Sequence, residues 1–118
     1  NSEYAKDSHQ KIILVKSNIA AKHMTIARFY QKNKKYTAAL SRYKIVVDDF
    51  SETKFTPEAL YRISEIYLSI GMKDESKKNA AILGYNYPNS IWYKYIYEDL
   101  TTKDNDSIFS KSIGKLFD

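Results

Sequence analysis

The chain has 118 residues, 43% of them hydrophobic and 28% charged, with a formal net charge of +5 and no cysteine. That length supports one domain at most, and the lack of cysteine excludes disulfides, thiol catalysis and cysteine-based metal sites. Three Gly and two Pro are too few for the many tight turns of an all-β fold, and no apolar run approaches the roughly 20 residues needed to span a bilayer.

The positive charge is almost all lysine; arginine occurs only at positions 28, 42 and 62. Most lysines stand singly on polar helix faces, whereas nucleic-acid binders concentrate Arg and Lys along one surface with aromatics between them. Solvated faces are therefore expected, not a nucleic-acid site.

In chain order, the opening Asn1-Ser2-Glu3-Tyr4 already reads as a helix start. The abruptness reads as a fragment of a longer protein, with any targeting signal upstream. Ser2 suits an N-cap and Asp7 the first turn. Ile12, Val15, Ile19, Ile26 and Tyr30 keep a three-to-four spacing, which predicts one long helix over 3–32 joining an upstream repeat to the first full one. Asn33 is the residue expected to take the left-handed conformation that ends it.

The second helix, about 35–50, has the clearest pattern. Tyr36, Ala39, Leu40, Tyr43, Val46, Val47 and Phe50 define its apolar face, with Arg42 on the flank. Thr56-Pro57-Glu58 is a helix start with a capping hydroxyl, a first-turn proline and an acid near the dipole. The third helix, about 57–70, is expected to bury Leu60, Ile63, Tyr67 and Ile70, and Gly71 ends it. The fourth, about 73–87, carries Ala80, Ile82, Leu83 and Tyr87, with Gly84 there for close packing. A fifth, about 91–100, places Trp92, Tyr95, Ile96 and Leu100 on one side as a terminal cap. Residues 101–106 read as a linker, and Ile108, Phe109, Ile113, Leu116 and Phe117 as a short amphipathic segment that folds back or awaits a partner.

An internal repeat ties these elements together. His23, Ile26, Ala27, Tyr30, Ala39, Tyr43, Val46 and Ser51 recur, at an offset of 37, as Leu60, Ile63, Ser64, Tyr67, Ser76, Ala80, Leu83 and Pro88. The small/large/aromatic order resembles the tetratricopeptide repeat, whose period is about 34; the loop 51–56 can hold the surplus. The expected fold is all-α: stacked tetratricopeptide-type hairpins over 1–100, with full repeats at about 20–53 and 57–90, then a linker and short segment over 101–118.

No constellation supports catalysis. His9 has no second ligand at metal spacing, and His23 takes a packing position. Asp48 and Asp49 point apart in a last helical turn, and the scattered glycines form no phosphate loop. No enzyme, cofactor or metal is expected. What remains is a surface for a partner. Arg42, Phe29 and Arg62 are the first candidate contacts, with Tyr61, Trp92 and Tyr93 behind them, because arginine and aromatics dominate interface energetics.

Longer runs narrow this further. Ile26-Ala27-Arg28-Phe29-Tyr30 and Tyr36-Thr37-Ala38-Ala39-Leu40-Ser41-Arg42-Tyr43, continuing to Asp48-Asp49-Phe50, resemble the C-terminal half of the BamD family of outer-membrane β-barrel assembly lipoproteins. So do Asn1-Ser2-Glu3-Tyr4-Ala5-Lys6-Asp7, Glu58-Ala59-Leu60-Tyr61-Arg62 and Leu83-Gly84-Tyr85-Asn86-Tyr87-Pro88-Asn89-Ser90. The resemblance covers about residues 1–97. Lys34 stands where relatives often have Gly, Ser51 replaces the usual Pro, and the lipid-bearing cysteine and N-terminal repeats are absent from the sequence. The resemblance implies a non-enzymatic scaffold on the periplasmic face of the outer membrane. Its implied partners are the POTRA region of the barrel subunit BamA, accessory assembly lipoproteins and unfolded outer-membrane proteins, with membrane contact only through an upstream lipid anchor. Arg42 matches the family's arginine facing the POTRA domain, where a charge-assisted bond to a carboxylate is its implied role. The alternative is a generic tetratricopeptide adaptor or secretion chaperone gripping a peptide in its groove.

Overall fold

The computed structural model describes residues 2–102, and those residues form helices joined by short turns, with no strand among them. α1 runs Ser2–Lys32, α2 Tyr36–Asp49, α3 Thr56–Ser69 and α4 Lys73–Asn86. A fifth helix, α5, starts at 91 and continues to 102, where the described residues end. The amphipathic segment expected at 108–117, and the linker residues from 103 onward, lie outside them.

α1 packs on α2, α2 on α3 and α3 on α4, giving two successive antiparallel hairpins. One core joins the first hairpin to the next helix: Ala20, Met24 and Ala27 of α1, Ala39, Tyr43 and Val46 of α2, and Ala59, Ile63 and Ile66 of α3. A second core gathers Leu60 and Tyr61 of α3, Ala80 and Leu83 of α4, and Ile96 of α5. Trp92 and Leu100 pack against it, so α5 lies along the second hairpin.

The repeat register holds in the packing. Ala27 and Ser64 are both fully buried, as are Ala39 and Ser76, and Val46 and Leu83; Tyr43 and Ala80 are both buried. His23 is the departure. It is half-buried at the margin, and its neighbour Met24 takes the core position, whereas Leu60 is buried.

The chemistry at matched positions differs in one instructive place. Where the first hairpin sets alanine beside alanine, the second sets Ser64 against Ser76. Each buried hydroxyl donates to the other's carbonyl oxygen, Ser64 Oγ to Ser76 O at 3.1 Å and Ser76 Oγ to Ser64 O at 2.8 Å. A buried hydroxyl left unpaired costs roughly 1–3 kcal/mol; the reciprocal pair avoids that cost twice.

Each hairpin turns in the same way. Lys34 donates its N–H to Gln31 O and Lys35 to Tyr30 O; 37 residues on, Gly71 donates to Leu68 O and Met72 to Tyr67 O. These are Schellman closures, which need a left-handed residue after the helix. That residue is Lys34, with φ +60°, and not Asn33 as expected; in the second turn it is Gly71, with φ +85°. Asn33 instead sends its side-chain amide back to Phe29 O at 2.8 Å.

Other local expectations are corrected too. Thr56 is the first residue of α3 and does not cap it; its hydroxyl donates to the carbonyls of Phe50 and Ser51, fastening the α2–α3 connection. Ile70 (44% exposed) and Ile82 (41% exposed) are not core residues. Ile70 follows α3 as its C-cap residue, where the helix has already ended. Ile12, Val15 and Ile19 are exposed as well, so the apolar spacing over the first part of α1 does not mark core residues. Gly84 fulfils its expected purpose. A Cβ there would lie 2.5 Å from Tyr93 Cε1, so the α5 ring can rest on α4 only because the side chain is missing.

Candidate functional site

The six residues expected to bind a partner fall in four separate places. Arg42, on the flank of α2, is half-buried and directs Nη1 to His23 Nδ1 at 3.2 Å. A guanidinium can only donate, so Nδ1 is the acceptor in this contact. The imidazole is itself held against Phe50, ring centroids 5.9 Å apart. Among the described residues Arg42 forms no ion pair.

The other two arginines contrast with it. Arg28 makes a two-pronged contact with Glu58, Nε to Oε2 at 2.9 Å and Nη2 to Oε1 at 2.6 Å. Arg62 reaches Glu58 Oε2 and Glu65 Oε1, each at 3.3 Å. Burial works to raise the Glu58 pKa, but the hydrogen bonds and charges of Arg28 and then Arg62 outweigh it and hold the carboxyl below its ordinary value.

Arg62, Tyr61 and Trp92 do come together. The guanidinium lies over both rings, 5.4 Å from the Tyr61 centroid and 5.6 Å from that of Trp92. Tyr61 and Trp92 are 5.4 Å apart, and Tyr95 sits edge-on to both. Tyr61 is buried and donates to Glu65 Oε2 at 2.7 Å; desolvation and that bond push its hydroxyl pKa well up. These contacts fasten α5 to α3 and stack the part-buried Arg62 guanidinium on two aromatic rings. Tyr93 lies elsewhere, on Gly84 and 6.1 Å from Tyr97. Phe29 stands apart on α1, 63% exposed, with its edge toward Tyr30.

Sequence reasoning did not single out the polar network that joins α1 to α3. Tyr43 donates to Gln31 Oε1 at 2.7 Å, and Gln31 donates in turn to Glu65 Oε1 at 2.6 Å. With Arg28, Glu58 and Arg62 this makes a continuous chain of bonds between successive hairpins. A signal was present. Stacked repeats align residues separated by the repeat length less one or two helical turns, and 28/58 and 31/65 are complementary pairs at such separations. Above the network is an open cavity of about 460 Å³ lined by Arg28, Gln31, Lys32, Tyr36, Arg62, Glu65 and Ser69.

Among the described residues no three His, Asp or Glu side chains gather as a metal site would require, and no helix is long and apolar enough to cross a membrane. The arrangement defines a helical-hairpin repeat protein of the tetratricopeptide kind, presenting arginine and aromatic side chains on several faces.

Comparison with known proteins makes the class specific. The chain belongs to the YfiO family, described as outer membrane lipoprotein, which it matches over residues 1–83. It is 50% identical over 97 residues to the outer membrane protein assembly factor BamD of Rickettsia prowazekii (strain Madrid E), covering 82% of this chain and 39% of that protein. Against BamD of Caulobacter vibrioides the identity is 46% over 97 residues, covering 82% of this chain and 32% of the relative. BamD of Pasteurella multocida is 31% identical over 86 residues, covering 73% and 33% respectively. The chain therefore spans between about a third and two fifths of the length of these relatives.

Proposed function

We propose that the chain is a scaffold segment of outer-membrane β-barrel assembly, docking through α2 onto the POTRA region of the barrel subunit BamA. Accessory assembly lipoproteins and unfolded outer-membrane proteins are further partners under this reading. It places the segment at the periplasmic face, with attachment through a lipid anchor elsewhere in the full-length protein. Its relatives are named as assembly factors, and its own side chains favour holding a partner over transforming a substrate.

The observation that carries the reading is Arg42. Two of the three arginines are paired internally with Glu58 and Glu65, whereas the one side-chain partner of Arg42 among the described residues is His23. A half-buried guanidinium with no carboxylate partner among the described residues is available to a carboxylate from outside. Phe29 and the Tyr61–Arg62–Trp92 cluster are secondary contacts in this scheme, and Tyr93 is the most peripheral.

The test is a calorimetric titration of this chain with POTRA domains from the same organism. Hydrogen bonds to charged groups contribute roughly 1.5–3 kcal/mol, so Arg42→Glu should weaken binding at least about tenfold while the chain keeps its helical fold. Unaltered affinity would remove Arg42 from the interface.

A further inference from the structure

We infer that the cavity between α1 and α3 is a second binding site, distinct from the Arg42 surface, which receives one acidic side chain of a protein partner. Its wall is built from cations with donors still available. Arg28 commits Nε and Nη2 to Glu58 and leaves Nη1; Arg62 commits Nε and Nη1 and leaves Nη2. Lys32 has no ion pair and Tyr36 no side-chain hydrogen bond among the described residues. All four line the same cavity.

The acceptors nearby are already engaged. Glu58 bridges the two guanidinium groups from beneath. Glu65 accepts from Gln31, Arg62 and Tyr61 together. Its contact with Arg62 is the long one at 3.3 Å, which an incoming anion can share without displacing Glu65.

Charge decides the ligand class. Three cations (Arg28, Lys32, Arg62) face two carboxylates (Glu58, Glu65), leaving an excess of one positive charge. A carboxylate monoanion balances that excess. About 460 Å³, open to solvent, admits a side chain delivered on a backbone. The fork-shaped guanidinium donors match carboxylate geometry, and the half-buried Tyr36 ring offers the adjoining apolar wall.

The test uses the full 118-residue chain, labelled with nitrogen-15, and three probes: acetyl-Ala-Glu-Ala-amide, its Gln counterpart and inorganic phosphate. The Glu peptide should give saturable shifts at the Lys32, Tyr36 and Ser69 amides, with the Gln peptide at least fivefold weaker. Lys32→Glu should weaken the Glu peptide about tenfold while leaving the rest of the spectrum in place. Lys32 is an exposed helix-end residue, so that variant keeps its fold. The inference is overturned if the Glu peptide gives no saturable shift, if Gln binds as well as Glu, or if Lys32→Glu has no effect. Tighter binding of phosphate at the same amides would overturn the assignment to a carboxylate.

Discussion

Lys34 and Gly71 occupy one structural position 37 residues apart, both left-handed, with φ of +60° and +85°. The same pair of backbone bonds closes the turn around each. A glycine takes that conformation freely, whereas an L side chain is strained there by roughly 1–2 kcal/mol. Replacing Lys34 by Gly relieves the strain but loosens the unfolded chain, an opposing effect of about 0.4–1 kcal/mol. Lys34→Gly should therefore stabilise by about 0.5–1 kcal/mol, seen as a rise of several degrees in melting temperature. Gly71→Ala should lower it, although nothing lies within 4 Å of the added Cβ.

Tyr43 is fully buried where α1, α2 and α3 meet, and its hydroxyl is bonded to Gln31. Tyr43→Ala should cost roughly 3–5 kcal/mol, as large-to-small aromatic changes in a core do. Tyr43→Phe should cost only about 0.5–1.5 kcal/mol, the value of one hydrogen bond. Burial raises the hydroxyl pKa to about 12, above its ordinary value near 10. Stability linked to this group is intact below pH 10 and declines as pH rises through 12. Denaturant melts at neutral and alkaline pH separate the two effects.

Glu58 works in the opposite direction along the pH scale. Its carboxyl is held below its ordinary pKa, so its contribution is present above the unfolded value of about 4.3 and lost as pH falls through the folded value. Wild type should lose stability through this acid window, and Glu58→Gln should flatten that part of the profile. At neutral pH the substitution should cost about 1–2 kcal/mol. That is below the 3–5 kcal/mol of a fully buried pair, because both guanidinium groups keep solvent contact. Thermal melts across pH 3–7 for both proteins provide the comparison.

Gly84 and Tyr93 can be read against each other. Alanine at position 84 gains up to about 1 kcal/mol of helix propensity but must push the tyrosine ring aside, a change that costs about 1–3 kcal/mol. Gly84→Ala alone should be destabilising, and in a Tyr93→Ala background it should become stabilising. The same sign in both backgrounds would mean the ring does not govern this glycine.

Much of this architecture was legible in advance because repeat packing leaves a periodic trace. Small residues at 27, 39, 64 and 76 and the aromatics at 30, 43 and 67 mark helix contacts whose spacing survives any change in the polar faces. The hairpin turns were legible in location but not in chemistry. Asn33 is the better left-handed residue, yet hydrogen-bond register at the helix end selects the next position and Lys34 must accept it. The Arg28–Glu58–Arg62–Glu65 network escaped notice because it crosses between repeats, where only the stacking of whole hairpins brings side chains together. Arg62 consequently sits less freely than its flank position implied, and Arg42 more so.

The reciprocal serine bonds between α3 and α4 have a mechanical consequence. Where α1 and α2 meet at Ala27 and Ala39, the contact itself carries no polar group that would fix the axial register. Ser64 and Ser76 act as a pair of opposed latches, and a slip of either helix by one residue would strand two hydroxyls in an apolar interior. Register between α3 and α4 is thus enforced from inside the core, whereas between α1 and α2 the polar ties, Tyr43 to Gln31 and Arg42 to His23, lie at the margins.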